Sequence, residues 1–146
     1  MFFVVDPGEA CGFMAFYPSG QVAQHLEADP YTTVEAMNEW LLRYPKTICV
    51  AERYVITMQT MKMTRQYAAL ETIGAMKYVA KKHGAPMLLQ DRSGKSKVTR
   101  EILVRLDWWK PTKDGHANDA ARHAWMAFLR HAPESIVVTQ GLGTVV

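Results

Sequence analysis

The sequence predicts an α/β domain in which a five-stranded mixed sheet is flanked by helices. Three observations lead to that fold class. The chain opens with three strand-like runs joined by tight turns, an amphipathic helix then leads into a buried apolar run, and helical and strand-like segments alternate thereafter. We expect strands one to three to form an antiparallel meander and the later strands to pair in parallel, within one domain over residues 1–146.

The first three strands follow from their turns and their periodicity. Residues 2–6 are an apolar run that ends on Asp6 before a Pro-Gly turn, and residues 12–17 are a second run closed by Pro-Ser-Gly. Residues 21–27 alternate polar and apolar side chains, which is typical of a half-buried strand. The antiparallel part of the sheet is therefore expected at the N-terminus.

A helix and a fourth strand come next. Thr32 or Thr33 is the expected N-cap of the helix, and Pro45 should stop it. Apolar side chains at helical spacing predict its buried face: Val34, Met37, Trp40, Leu41 and Tyr44. Residues 47–51 form a buried-type run that ends on Glu52. Because a helix is the usual crossover between parallel strands, the fourth strand should lie beside the first.

The second half of the chain predicts three more helices and one strand. A second helix over about residues 66–82 stops at Gly84, and its small residues suit packing on the sheet or across a dimer. The remaining elements are a fifth strand, a polar basic loop and two helices, at residues 86–90, 91–97, 98–108 and 116–131. Residues 132–146 are expected to be a loose tail.

Composition narrows the class of protein. With 49% hydrophobic and 21% charged residues, the chain is typical of a soluble globular protein. Cys11 and Cys49 lie in apolar runs and predict buried, reduced thiols, hence a cytoplasmic protein. The sequence shows neither a signal peptide nor a membrane span. Although the net charge is only +3, basic residues outnumber acidic ones between residues 77 and 113, which favours a polyanionic partner.

Acidic residues end two neighbouring strands and begin the last helix. Asp6 alone would be an ordinary turn residue, and Asp119 with His116 would be an ordinary first-turn acid beside a surface histidine. The parallel pairing, however, brings Asp6 and Glu52 to the same edge of the sheet. Two such carboxylates repel each other unless a cation lies between them, and Mg²⁺ or Mn²⁺ prefers oxygen ligands. We therefore predict a metal site of Asp6, Glu52, His116 and Asp119.

With these residues the chain resembles the RuvC-like Holliday-junction resolvases of the RNase H-like nuclease superfamily. The matching motifs are Val5-Asp6-Pro7-Gly8 with Gly12, Val50-Ala51-Glu52-Arg53, and His116-Ala117-Asn118-Asp119-Ala120-Ala121. The resemblance implies an RNase H-like fold and a Mg²⁺-dependent endonuclease, with Mn²⁺ able to substitute. It also implies that two ions cleave the phosphodiester, held by the three carboxylates, with His116 as ligand or general base. The chain is shorter than typical bacterial resolvases, which would suit a phage or similar mobile element.

The resemblance also points to DNA contacts. Tyr54 matches the region where such enzymes wedge an aromatic ring between bases, and Arg53 adjoins it; a core aromatic at a strand end is the other interpretation of Tyr54. Lys95 and Lys97 match a loop that contacts phosphates, or belong to a loop that is merely solvated. Cutting a four-way junction symmetrically needs two sites, so a homodimer is expected. Flaps, forks and RNA/DNA hybrids are alternative substrates, and a non-catalytic junction-binding protein is the alternative of another class.

Overall fold

A computed structural model describes residues 1–59, 61 and 66–131 of the chain. Five strands form one sheet in the order β3-β2-β1-β4-β5. The strands are β1 (Phe2–Asp6), β2 (Cys11–Phe16), β3 (Val22–Ala28), β4 (Ile48–Glu52) and β5 (Met87–Gln90). The helices are α1 (Pro30–Arg43), α2 (Gln66–His83), α3 (Arg100–Arg105) and α4 (His116–His131). The predicted mixed sheet flanked by helices is confirmed. Residues 132–146, predicted to be a loose tail, lie outside the described residues.

The strand pairing brings three polar strand ends together. β1 pairs antiparallel with β2 and parallel with β4, which in turn pairs parallel with β5. Val5 lies opposite Ala51, and Glu52 lies opposite Gln90. The predicted pairing of the first and fourth strands is therefore confirmed. Since parallel strands end at the same edge of a sheet, Asp6, Glu52 and Gln90 share one edge.

The central strand β1 is buried on both faces. Phe2 and Val4 belong to a core formed with α3 and α4, whereas Phe3 and Val5 belong to a second core under α1 and α2. This is the environment of a central strand covered by helices on both sides. Because β1 is packed between two cores, the position of Asp6, its last residue, is fixed.

The N-terminus of α4 is held against β2 and β3. A side-chain Cβ at Gly12 would lie 1.8 Å from the carbonyl oxygen of His116, so only glycine allows the helix to approach this closely. The amide of Ala117 donates to Glu27 Oε1 at 3.2 Å, and His25 Nε2 donates to the carbonyl oxygen of Ala117 at 2.7 Å. These contacts place the first turn of α4 next to the end of β1.

Two helix boundaries differ from the predictions. The predicted N-cap of α1 is wrong: Asp29 is the cap, its Oδ1 accepts from the amide of Thr32 at 2.9 Å, and Pro30 is the first helical residue. Aspartate is a stronger cap than threonine, and proline fits the first helical position because that position has no partner for an N–H. The Asp29-Pro30 pair therefore begins a helix.

The third helix is also shorter than predicted. It covers Arg100–Arg105 rather than residues 98–108, because Thr99 caps its start and Asp107 adopts a positive φ of 59° at its end. The amide of Trp108 then donates to the carbonyl oxygen of Leu103 at 2.8 Å, which closes the helix in a Schellman motif. The predicted glycine stop of α2 is confirmed, since Gly84 has a φ of 67°.

Burial agrees with the predicted thiols. Cys11 and Cys49 are both buried and unpaired with each other. Among the described residues, the helices are too short or too polar for any of them to cross a lipid bilayer. The segment predicted to be a basic loop is a 3-10 helix, Arg92–Lys97, which leads from β5 towards α3.

Candidate active site

Asp6 and His116 form one half of the site. The carboxylate is buried, with 8% of the residue exposed, and its Oδ2 lies 3.1 Å from Nδ1 of His116. Burial raises the pKa of Asp6, and the hydrogen bond from His116 offsets that effect only in part. The neighbouring Glu52 and Asp119 carboxylates raise the pKa further, whereas Lys95 lowers it. Asp6 is therefore a buried acid that is short of positive partners.

Glu52 is the centre of the other half. Its Oε2 accepts from His123 Nε2 at 2.7 Å and from Lys95 Nζ at 3.0 Å. Burial opposes ionisation of Glu52, but these two donors outweigh it and lower the pKa of Glu52 to about 2. Arg92 adds a longer contact, 3.9 Å from Nε to Oε1. Glu52 is thus a firmly ionised carboxylate.

Lys95 joins Glu52 to Asp119. Its ammonium lies 3.2 Å from Asp119 Oδ2, and Arg122 binds the other oxygen of Asp119 at 2.8 Å. Burial would lower the pKa of Lys95, but the hydrogen bond and attraction of Glu52, with the charges of Asp119 and Asp6, raise it overall. The side chain is only 18% exposed. One cation therefore sits between two carboxylates of different elements, where a divalent ion would find oxygen ligands.

The four predicted site residues come together, but as two separate pairs. Asp6 is bound to His116, while Glu52 and Asp119 are bridged by Lys95. Within residues 1–59, 61 and 66–131, no three His, Cys, Asp or Glu side chains converge closely enough to hold a metal ion as they are placed. The donor chemistry fits Mg²⁺, since the Lys95 ammonium lies between the carboxylates of Glu52 and Asp119, and carboxylate oxygens are the ligands that this ion prefers.

Three residues of the site were missed by the sequence prediction. His123 is fully buried, and Gln90 binds it from β5, with Nε2 at 2.9 Å from His123 Nδ1. The signal for His123 was present, because it follows Asp119 by four residues and so lies on the same helix face. Gln90 could have been found as the third polar residue to end a parallel strand. Arg122, bound to Asp119, follows it by three residues, so it too could have been expected on this face.

The predicted DNA-contacting residues occupy different environments. Arg53 is exposed and pairs with Asp91 at 3.3 Å, and Lys97 is exposed on the 3-10 helix. Lys95 points into the carboxylate cluster instead of the solvent. Tyr54 is half-buried against the core under α1 and α2, and its hydroxyl is buried without a hydrogen-bond partner among the described residues. The exposed apolar side chains of this segment come after it: Val55, Ile56, Met58 and Met61.

Clefts lie on both sides of the cluster. One of about 640 Å³ is lined by residues of the turn after β1, by Glu52, by residues 53–55 and 57, and by residues 91–93. The other, of about 410 Å³, is lined by Arg92, Lys95, Asp119 and Arg122, with Ser96, Val98 and Thr99. Three cations thus face the second cleft beside one carboxylate. The arrangement suits a chain of phosphates that passes next to the acids.

Comparison with solved structures decides the fold. The chain is similar to Thermus thermophilus RuvC in complex with a Holliday junction substrate, with a TM-score of 0.58 and 16% identity over 87% of this chain and 96% of the other. A second Thermus thermophilus RuvC structure gives a TM-score of 0.56 and 16% identity, over 90% and 97% of the two chains. The fold is RuvC-like. No family model and no curated protein sequence matches the chain.

The RuvC-like fold explains how the site is assembled. Its acidic side chains come from the ends of two neighbouring parallel strands and from the first turn of α4, which the glycine at position 12 admits to the sheet. Rigid elements therefore carry Asp6, Glu52 and Asp119, and the segments after β4 and β5 line the clefts. The predicted metal ligation and the predicted DNA contacts remain predictions for these residues.

Proposed function

We propose that this protein is a metal-dependent, structure-selective endonuclease that cleaves branched DNA, most of all four-way junctions. One observation carries the proposal. Three carboxylates from separate rigid elements of a RuvC-like fold gather at one sheet edge, between clefts that are lined by cations. A protein that only bound nucleic acid would gain nothing from acids placed against a polyanion.

The proposed ligands are Asp6, Glu52 and Asp119, with His116 as a further ligand or the general base. Two bound Mg²⁺ or Mn²⁺ ions would supply Lewis-acid stabilisation of the charge on the scissile phosphate. His116 donates from Nδ1 to Asp6, so its basic nitrogen is Nε2, which can take a proton from an attacking water. Cleavage would leave a 5′-phosphate and a 3′-hydroxyl.

The DNA would lie along the basic clefts. Arg92 and Arg122 line the second cleft, the exposed Arg53 lines the first beside Glu52, and the exposed Lys97 belongs to the same 3-10 helix as Arg92. Such contacts hold phosphates in position without reading sequence. The branch point would meet the segment that follows β4, where Val55 and Ile56 are more exposed than the predicted wedge, Tyr54.

Symmetric cutting of a junction requires a homodimer, which is part of the proposal. The outer face of α2 carries the exposed Tyr67, Gly74, Ala75 and Tyr78 at helical spacing. Small residues between two aromatic rings would let a second copy approach closely. Light scattering of the parent and of Ala75→Arg tests this face: we expect a dimer for the parent and a monomer for the variant.

One cleavage assay separates the candidate functions. The protein is incubated in Mg²⁺ with labelled four-way junction, flap, fork, RNA/DNA hybrid and linear duplex. We expect the junction to be cut fastest, and Asp6→Asn to lose activity by a factor of about 10³. Asp114→Asn, an exposed aspartate before α4, is the matched control and should retain parental activity.

Other outcomes would replace the proposal. Equal cutting by Asp6→Asn would refute the assigned site. Preference for the hybrid would assign an RNA strand as substrate, and preference for flaps or forks would assign those structures. Tight junction binding without cleavage in either Mg²⁺ or Mn²⁺ would favour the non-catalytic junction-binding protein.

A further inference from the structure

The side chain of His123 links β5 to β4 through the interior of the protein. It is fully buried, with 0% of the residue exposed. On one side its Nε2 lies 2.7 Å from Glu52 Oε2, and on the other its Nδ1 lies 2.9 Å from Gln90 Nε2. Gln90 itself is 5% exposed. The three side chains therefore form a continuous hydrogen-bonded row behind the carboxylate cluster.

The hydrogen bonds fix which imidazole nitrogen carries the proton. Gln90 Nε2 also lies 3.1 Å from the backbone carbonyl oxygen of His123, and a carbonyl oxygen can only accept. The Gln90 atom at this position must therefore be the amide nitrogen. Because that nitrogen donates its second hydrogen to Nδ1, the ring accepts at Nδ1 and carries its hydrogen at Nε2. His123 thus donates to Glu52 through Nε2–H.

We propose that His123, held as the Nε2–H tautomer by Gln90, is the positioning residue that orients Glu52 for ion and substrate binding. Both of the short donors to Glu52, His123 and Lys95, take Oε2. Among the described residues, the charged partner of Oε1 is the exposed Arg92 at 3.9 Å. Oε1 is therefore open to a ligand, and Oε2 becomes open as well if an ion displaces Lys95. The role in ion binding rests on the proposed nuclease function.

His123 and Lys95 differ in how easily they can leave Glu52. Lys95 reaches the cluster on a long side chain from a surface 3-10 helix, so an arriving divalent ion can displace its ammonium. His123 is packed inside α4 and held from behind by Gln90, so it stays. Buried partners of ligating side chains typically change metal affinity or activity by roughly 10- to 100-fold when removed.

The tautomer can be measured without metal or DNA. In the ¹⁵N-histidine-labelled protein at pH 8, long-range ¹H–¹⁵N spectra distinguish the two tautomers, and His123→Gln identifies the signal. We expect Nε2–H in the parent and a mixture of tautomers in Gln90→Leu. A parent signal with its hydrogen on Nδ1, or a Gln90→Leu spectrum unchanged from the parent, would overturn the proposal.

Metal binding and kinetics then test the consequence for Glu52. Titration calorimetry with Mn²⁺ alone should show binding weakened by about 10- to 100-fold in His123→Leu. In His123→Gln, whose amide can donate from near the Nε2 position, the loss should be at least partly rescued. kcat should fall in His123→Leu while KM for the junction stays within about twofold, because the DNA contacts are elsewhere. His131→Leu, at the exposed end of α4, is the matched control.

The outcomes separate this inference from the proposed function. Equal Mn²⁺ affinity in the parent and in a folded His123→Leu variant would refute the positioning role. If His123→Leu does not fold, Gln90→Leu replaces it. That variant keeps the imidazole and removes only the hydrogen bond that fixes its tautomer. If the parent binds no Mn²⁺ and cuts no substrate, the proposed function fails, while the spectra still decide whether His123 donates to Glu52.

Discussion

Asp6 and Glu52 end neighbouring parallel strands, yet their surroundings shift their pKa values in opposite directions. Asp6 is more buried and has His116 as its hydrogen-bond partner, so its pKa is raised. Glu52 receives His123 and Lys95 on one oxygen, and its pKa falls to about 2. The number of positive or donating partners, rather than the position in the sheet, decides the ionisation of each acid. Asp6 is therefore the carboxylate whose ionised form a bound cation would stabilise more.

A substitution that forces α4 away from the sheet should lower stability and activity the most. In Gly12→Ala the new Cβ would overlap the carbonyl oxygen of His116, so the first turn of α4 must move away from β1 and take His116 from Asp6. We expect the free energy of unfolding to fall by about 3 kcal/mol or more, with loss of cleavage. Urea unfolding measures the change.

Gly74→Ala is the matched control for that variant. It lies in α2, where an added Cβ meets nothing within 4 Å, so the helix should gain about 0.5–1 kcal/mol. Equal stability of the Gly12→Ala variant and the parent would show that α4 does not touch β2 in this way.

Removing the charge of Glu52 or of Asp6 should change the free energy of unfolding in different directions. Glu52→Gln loses a charge that Lys95 and His123 stabilise, so the free energy of unfolding at pH 7 should fall by about 1–3 kcal/mol. Asp6→Asn removes a charge that burial disfavours, so stability should be unchanged or higher by up to about 1 kcal/mol. A larger loss in Asp6→Asn than in Glu52→Gln would reverse the comparison.

Acid should erase the stability that Glu52 contributes. The pKa of Glu52 is about 2 in the folded protein, against an ordinary value of 4.5. Its contribution to stability is therefore complete above about pH 4.5 and is lost as the pH falls towards 2. The raised pKa of Asp6 acts with the opposite sign, because protonation relieves its burial cost as the pH falls. We expect the stability difference between the parent and Glu52→Gln to shrink between pH 5 and pH 3. A difference that stays constant over that range would contradict the assigned pKa.

The sequence predicted that Asp6 and Glu52 lie close together, but not the directions in which their pKa values are shifted. Apolar runs and turns predicted β1 and β4, and parallel pairing then required Asp6 and Glu52 to be neighbours. The partners could not be predicted, because Lys95 reaches the cluster only through a 3-10 helix that read as a solvated loop. Gln90 binds His123, which lies on another element 33 residues further along the chain. Local patterns specify elements and their order, whereas such contacts depend on packing angles that no local pattern contains.

Lys95 and Lys97 belong to the same 3-10 helix, so their variants compare a mostly buried cation with an exposed one. Lys95→Met should tighten Mn²⁺ binding, by about tenfold if the ammonium competes with the ion for Glu52 and Asp119. Lys97→Met should leave Mn²⁺ binding unchanged, because its side chain is exposed. It should lower the salt dependence of junction binding by about one unit of slope. Calorimetry and binding titrations at several salt concentrations test both, and weaker Mn²⁺ binding in Lys95→Met would exclude competition.

The smallest change in stability should come from a buried polar group that, unlike Glu52, has no hydrogen-bond partner among the described residues. The hydroxyl of Tyr54, two residues beyond Glu52, is buried without a hydrogen-bond partner among the described residues. Tyr54→Phe removes that unpaired group and keeps the ring in the core, so the free energy of unfolding should stay the same or rise by about 1 kcal/mol. Ile56→Ala, at an exposed position, is the companion variant and should leave stability within about 0.5 kcal/mol. If the ring of Tyr54 is structural, Tyr54→Phe will cut junctions at the parental rate, while Ile56→Ala will cut more slowly if the exposed segment meets the branch point.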